Sequence, residues 1–337
     1  MKSKITINDI ANEIGISTST VSRALKNSSS ISSAVKDKVR ETAKRLGYSN
    51  VTILNQPKTI VFIVPELNNY FYSEVLAAFQ KRIHAEDYVI SIYCSYNSAE
   101  KEKQIVANLE TSQVCCLIIS QSMDATDSEH LHILEEKNIP VIMFNRVDYG
   151  YHCPRFLIDN YMDAYMATNH LLSAGYRKIA MAAKHYHCNI YKERIQAYKD
   201  ALCKNGIAFN PDYLVYSELT PEDTHDVVTR FVKMKNAPDA ILLPNYLAAL
   251  QACSIARISN IRIPEELGLF SFDEEPYSKL SNPSISGIER PLKEMGIAMA
   301  RLVQKIIEKE RYNKEETRIF SSNLIIRGSS LTRKTQG

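Results

Sequence analysis

Thr18, Ser19, Ser22 and Arg23 share one face of a short predicted helix, Thr18–Leu25, with Val21, Ala24 and Leu25 on the other. Short hydroxyl donors and a guanidinium suit base edges and phosphates in a DNA major groove. Elsewhere, the string His185-Tyr186-His187-Cys188 sets two imidazoles beside a thiol. That hints at a metal, but the spacing reads better as a loop over a cleft, and no other metal-ligand spacing occurs. There is no G-x-G-x-x-G after a strand, no G-x-x-x-x-G-K and no G-x-S-x-G, so the expected chemistry is binding, with no cofactor.

The elements around the hydroxyl face are a helix, a turn and a second helix. Ile7, Ile10, Ala11 and Ile14 recur at i, i+3, i+4 and i+7 and line one helical face. Thr6 opens the run with Asp9 three residues on, a capping-box signal with a short acid. Gly15 can take the left-handed conformation that ends a helix, and Ile16 follows as a buried turn residue. Ser17 is placed to cap Thr18–Leu25. This spacing predicts a helix-turn-helix whose second helix does the reading. After a polar, serine-rich loop at Lys26–Ile31, Ser32 or Ser33 caps a third helix to about Leu46, and Tyr48 closes the small core. Lys36, Lys38, Arg40, Lys44 and Arg45 fall outside, where some would sit near phosphates and give salt-dependent affinity.

The length, 337 residues with 45% hydrophobic, suits two or three domains with ordinary cores. No run is long enough for a membrane span, and the start lacks the apolar core of a signal peptide. Seven cysteines without C-x-x-C read as reduced thiols in a cytoplasm. The net charge of +3 is unevenly spread: residues 1–50 carry nine basic against four acidic side chains, while the remainder is slightly acidic. A basic head on such a body is an electrostatic footprint of nucleic-acid binding.

From Ile60 the pattern alternates. Strands are predicted at 60–64, 89–93, 114–120, 141–144 and 156–158, with helices at 71–86, 99–111 and 127–137 between them. The unit restarts with helix 161–174, strand 178–183, helices 191–204 and 221–234, strand 240–243, helix 247–257 and strand 267–272. Short apolar strands between amphipathic helices imply parallel sheets covered on both faces. The expected fold class is α/β: a three-helix head plus two doubly wound lobes with a ligand cleft at the strands' carboxyl ends.

Residues 5–48 closely resemble the N-terminal domain of the lactose repressor/galactose repressor family of bacterial transcription regulators. The matching residues are Asp9-Ile10-Ala11, Gly15-Ile16-Ser17, Thr20-Val21-Ser22-Arg23, Ile31-Ser32, Lys38-Val39 and Leu46-Gly47-Tyr48. Residues 60–330 resemble that family's effector domain, akin to periplasmic sugar-binding proteins. There the matches are Phe144-Asn145-Arg146, Ile158-Asp159-Asn160, His170-Leu171 with Gly175, Arg194, Pro238-Asp239-Ala240, Ile263-Pro264-Glu265, Phe272-Asp273 and the strand 324–329. The resemblance implies a DNA-binding domain at 1–48, a linker at 49–59, a first lobe at about 60–158 and 287–330, a second at about 159–286, and a tail at 331–337. Leu292–Glu308 would be the last helix of the first lobe, with three chain crossings between the lobes.

The resemblance implies a DNA-facing set of Thr6, Ser17, Thr18, Ser19, Thr20, Ser22, Arg23, Ser32 and Tyr48, with Leu54 in the linker. The family's linker forms a hinge helix whose leucine wedges into the minor groove. Here the interval is shorter, Asn50 replaces the expected proline, no Ala-Arg pair follows, and Pro57 interrupts any helix reaching it. Leu54 is the only leucine left for the wedge, and little or no wedging is expected.

Carried over residue by residue, the family's pocket falls on Phe71, Tyr72, Asn145, Arg146, Arg194, Asn245, Asp273 and Arg290. Amide, carboxylate and guanidinium groups engage neighbouring hydroxyls, while aromatic faces cover a sugar ring. Family members commonly carry Asp at position 145 and often Gln at position 290; Gln196 and Tyr246 also depart from the usual residues. Asn145 and Arg290 together leave up to three guanidinium groups against Asp273 as the main acid, which favours a sugar acid or phosphorylated sugar over a neutral sugar. The resulting expectation is a cytoplasmic, homodimeric regulator, most simply a repressor, that binds double-stranded operator DNA under control of a small carbohydrate-like effector. The alternatives are a regulator of the same fold controlled by a protein partner, and an enzyme acting on a nucleotide or sugar.

Overall fold

The computed structural model describes residues 5–331 apart from 26–27, 29–30, 49–57, 84–87, 185–187 and 219. The linker with Leu54 and Pro57, most of the serine-rich loop, the two histidines of the HYHC string and the tail from 332 lie outside the described residues. The chain divides into two units, residues 1–58 with 87–89, and the remainder.

The first unit is a three-helix head: α1 (Ile7–Ile14), α2 (Thr18–Leu25) and α3 (Ser33–Leu46). Its core is the set the periodicity selects, with Ile10, Ala11, Val21, Ala24, Leu25, Val39 and Ala43 buried together and closed by Tyr48. At the start of α1 the Asp9 carboxylate accepts from both the Thr6 amide and the Thr6 hydroxyl at 2.7 Å. These bonds hold the Asp9 carboxyl below its ordinary value. Gly15 ends α1 at φ 77°, where a side chain would be strained, and the chain turns directly into α2.

The second unit holds two six-stranded sheets. The first contains β1 (Lys58–Val64), β2 (Tyr88–Cys94), β3 (Val114–Ile119), β4 (Val141–Phe144), β5 (Arg155–Ile158) and β11 (Thr317–Phe320), in the order β11-β5-β4-β3-β1-β2. Its helices are α4 (Tyr70–Arg82), α5 (Ala99–Ala107), α6 (His132–Glu136) and α11 (Leu292–Ile307). Alternation along β1 sends Val61 and Ile63 to a cluster with Leu117, Met143 and Leu134. Phe62 turns the other way, with its ring 4.8 Å from that of Phe79 on α4.

The second sheet contains β6 (Ile179–Ala183), β7 (Leu214–Tyr216), β8 (Ala240–Leu243), β9 (Gly268–Ser271), β10 (Ser286–Glu289) and β12 (Asn323–Ile325), in the order β12-β10-β9-β8-β6-β7. Helices α7 (Asn160–Ser173) and α8 (Asn189–Lys204) cover the face bearing Met181, Leu242 and Phe270. Helices α9 (Pro221–Lys233) and α10 (Tyr246–Ile258) cover the face bearing Ala182, Ile241 and Leu269. In both sheets the first strand of the unit sits between the second and the third, the doubly wound order that opens a crevice at the carboxyl ends.

Two expectations from the sequence are corrected. The segment 127–137 is a 3-10 turn at Glu129–Leu131 followed by the five-residue α6, because the Asp127 carboxylate caps the Glu129 amide and starts a tight turn. The return to the first lobe is not at 287. β10 belongs to the second sheet, parallel to β9, and β12 pairs antiparallel with β10. Only α11 and β11 lie with the first sheet, and the chain crosses once more after Phe320. Strands of three or four residues carry too little periodicity for their sheet to be read from sequence.

Candidate functional site

In the head, Thr6, Ser17, Thr18, Ser19 and Arg23 are exposed, and Thr20 and Ser22 are half-buried. The Ser17 hydroxyl accepts from the Thr20 amide at 3.2 Å, so it caps α2. Arg23 Nε donates to the Ser19 carbonyl at 3.2 Å, which lays its exposed side chain along the outer face of α2. Ser32 stands exposed at the N-cap position of α3 without a side-chain cap bond. Tyr48 is buried in the head's core. Of the cations expected outside, Lys36 and Arg40 are half-buried, Arg40 lies 3.6 Å from Asp37, and Arg45 is held by Glu13 at 2.5 Å.

In the second unit all eight residues of the expected pocket line one cleft between the lobes. They arrive there because each lies at or just after the carboxyl end of a strand, or on the helix that follows one. Phe71 and Tyr72 open α4 after β1; Asn145 and Arg146 follow β4; Arg194 is on α8 after β6; Asn245 follows β8; Asp273 follows β9; Arg290 follows β10.

Asn145 sits at φ 61°, a left-handed conformation that asparagine tolerates. Its Nδ2 donates to the Tyr72 hydroxyl at 3.1 Å, and that hydroxyl lies 3.0 Å from Ser120 Oγ. Tyr72 is fully buried and its hydroxyl is pushed up by burial, so it positions Asn145 from behind. Arg146 Nη1 donates to Asn97 Oδ1 at 2.5 Å, and Asn97 in turn donates to Glu66, a chain of polar groups on the first lobe's wall. Asn245 uses its carbonyl oxygen on the Ala248 amide at 2.9 Å, capping α10 and leaving its NH₂ for the cleft.

Arg290 does not pair with its neighbour Glu289. Its Nη1 lies 2.6 Å from Asp273 Oδ1, its Nη2 donates to the Phe272 carbonyl at 2.7 Å, and its guanidinium lies 5.9 Å from the Phe71 ring centre. A side chain at Gly287 on β10 would meet the Asp273 carbonyl at 2.9 Å, so this glycine allows the Asp273 main chain to approach. Arg194 differs from the other arginines of the cleft. It is 4% exposed, its guanidinium carbon stands 4.4 Å over the Phe272 ring, and among the described residues it makes no hydrogen bond or ion pair. Burial pulls its pKa down to about 10, as expected of a desolvated cation without a direct partner.

The lobes touch directly at the cleft's edge. Asn189, the first residue of α8, donates from Nδ2 to the Asn145 carbonyl at 3.1 Å and accepts the Val147 amide at 3.4 Å. Tyr149 donates to Glu193 at 3.2 Å beside them.

Residues 6–50 match the sequence profile described as "Bacterial regulatory proteins, lacI family", and residues 168–330 match a "Periplasmic binding protein-like domain". The chain belongs to the lacI family. Among its relatives, the HTH-type transcriptional repressor CytR of Escherichia coli (strain K12) is 28% identical over 332 residues, 96% of either chain. Catabolite control protein A of Priestia megaterium is 25% identical, covering 91% of this chain and 93% of that one. The crystal structure of the lac repressor dimer bound to operator and the anti-inducer ONPF superposes with a TM-score of 0.73 at 20% identity, over 98% and 100% of the two chains. A transcriptional regulator CelR–cellobiose complex gives 0.69 at 23% identity, over 97% and 100%. This lacI-family chain is therefore a DNA-binding transcription regulator with an effector-binding type of domain.

Several cleft residues of this lacI-family chain were not legible in its sequence: Glu66, Asn69, Met123, Lys184 and Tyr191. Lys184 directly follows β6, the position Asn145 holds after β4, and that strand-end placement was the available signal. Asp273 is also not the only acid: Glu66 lines the cleft, and Asp163 on α7 lies buried near Arg290 and Arg194.

Proposed function

We propose that this regulator is a homodimeric repressor whose operator binding is set by a small, sugar-like effector with an acidic group. The effector seats between the lobes, and its acidic group meets Arg194. A two-fold dimer presents two heads to a pseudo-palindromic operator. Effector binding acts by differential affinity for two lobe arrangements, which the Asn189 bonds at the cleft's edge would distinguish.

The observation that carries the effector reading is Arg194: a guanidinium 4% exposed, on the cleft wall, with no hydrogen bond or ion pair among the described residues. A planar fork without a partner matches a carboxylate or phosphate. Arg290 contributes less, because Asp273 already holds it. The Asn145, Asn245 and Asp273 polar groups and the Phe71 face supply what a hydroxylated ring needs. The cellobiose in the structural neighbour's complex is consistent with a carbohydrate in this fold.

The test is calorimetric. A panel of sugars, each matched with its sugar acid and its phosphate, is titrated into the full-length protein and into Arg194→Gln. The charged member of one pair should bind more tightly, and the variant should lose that preference. A neutral sugar that outcompetes its own acid and phosphate, equally in both proteins, refutes the acidic-effector reading. Footprinting on the selected operator with and without the bound sugar then reads whether occupancy changes.

A further inference from the structure

Asp163 lies in the first turn of α7, 1% exposed, where the chain has just crossed from the first lobe to the second. Its Oδ2 accepts a long bond from Ser322 Oγ at 3.2 Å, and its Oδ1 is buried with no hydrogen-bond partner. Ser322 belongs to the last crossing, between β11 and β12, and Arg290 belongs to the crossing between β10 and α11. The carboxyl is thus set among all three crossings, behind the cleft rather than on its wall.

The charges that face it come from three elements. Arg290 approaches from the second crossing, Arg194 from α8, and Asp159 from its own helix one turn earlier. The two arginines favour the carboxylate, while Asp159 disfavours it. Arg290 divides its charge with Asp273, whereas Arg194 has no ion pair of its own. A buried carboxylate with one weak hydrogen bond therefore owes its ionisation to two guanidinium groups, both of which also line the cleft.

We infer that Asp163 is a specificity-determining residue of the cleft: an effector that brings negative charge to Arg194 is taken up together with a proton on the Asp163 carboxyl, and a neutral effector is not. The inference rests on the reading of the cleft as the effector site. Its physical basis is that an anion on Arg194 cancels that arginine's share of the field that keeps Asp163 ionised, leaving the desolvated carboxyl, set against Asp159, to Arg290 and the Ser322 hydroxyl. Burial already lifts Asp163 to about 6, the opposing arginines notwithstanding, so little further loss of positive field makes the protonated form dominant near neutrality. By reciprocity, acidification strengthens the anion's binding, by up to about tenfold per pH unit while one proton is linked. The cleft would then rank charged against neutral effectors according to pH.

The experiment reads the carboxyl itself, without any effector. Full-length protein labelled with ¹³C at the aspartate carboxyls is titrated by NMR, with Asp163→Asn identifying the resonance. The midpoint in the wild type should lie near 6. Arg194→Gln removes the charge that a bound anion would cancel, and should raise the midpoint by about half a pH unit or more, at least a threefold gain in proton affinity. Arg290→Gln should move it the same way, and Arg194→Lys, which keeps the charge, should restore it. A wild-type midpoint at the ordinary aspartate value, or one that neither neutral variant raises, overturns the inference. Failure of the effector reading shows elsewhere, as no charge preference in the calorimetric panel, and does not touch this titration.

Discussion

The Arg290 guanidinium closes on the Asp273 carboxylate at 2.6 Å, joining the ends of β10 and β9 at the rim of the cleft. The pair holds together the strand end that supplies Asp273 and the crossing that leads into α11. With side-chain exposures of 10% and 21% it is largely desolvated, so removing one partner leaves a buried charge. Arg290→Gln should therefore destabilise the second unit by about 2–3 kcal/mol, below the loss for a fully buried pair because Asp273 retains some water. Urea unfolding of wild type and variant checks this; a change within experimental error would mean that Asp273 finds another partner.

Stability should also depend on pH through Asp163. Its folded-state pKa is raised by burial to about 6 from an ordinary value near 4. The folded state then binds the proton more tightly than the unfolded state, so the contribution is fully present below the ordinary value and is lost as pH rises through about 6. Relative to Asp163→Asn, the wild type should lose about 2 kcal/mol between pH 4 and pH 7, since each tenfold difference in proton affinity between the two states is worth about 1.4 kcal/mol and the unfolded carboxyl is already more than half ionised at pH 4. Parallel unfolding curves across that window are the measurement, and pH-independent differences between the two proteins would contradict the assignment.

Asn189 sets the balance between lobe arrangements. Its two bonds to the Asn145 carbonyl and the Val147 amide cross from α8 to the first lobe. Asn189→Ala removes both, and should shift the lobes toward opening by about 1–2 kcal/mol, the net worth of two ordinary hydrogen bonds. Small-angle scattering should show a larger radius of gyration in the variant, whereas an identical profile would mean that the lobes are held elsewhere.

Base reading is expected to centre on Arg23. Its exposed side chain lies along the outer face of α2, with Nε on the Ser19 carbonyl, and Thr18 and Ser19 are exposed on the same helix. Arg23→Ala should cost about 1–3 kcal/mol of specific binding if the fork makes a bidentate base contact. Competition between operator and scrambled DNA decides it: the preference should fall while the salt-dependent background survives.

The linker prediction follows from sequence alone. With Pro57 and a shortened interval after Tyr48, Leu54 should not act as a wedge, and operator bending should be weak. A gel-phasing assay that finds a strong central kink, abolished in Leu54→Ala, would refute it.

What the sequence determined by itself was everything local. Helix periodicity, the Thr6–Asp9 cap and the Gly15 turn specify the head, because each acts over three or four residues. Most buried strands from Lys58 to Ser271 were legible as apolar runs for the same reason. The motif match also named the eight cleft residues, though not their pairing. Only the tertiary structure decided that β10 and β12 join the second sheet, since strands of three or four residues owe their place to their neighbours. It likewise decided that Arg290 pairs with Asp273, 17 residues earlier, rather than with adjacent Glu289, because alternation along a strand end points neighbours apart. Asp163 looks in sequence like an ordinary first-turn acid of a helix. Three chain crossings bury it among arginines from distant segments, and that desolvation no local pattern encodes.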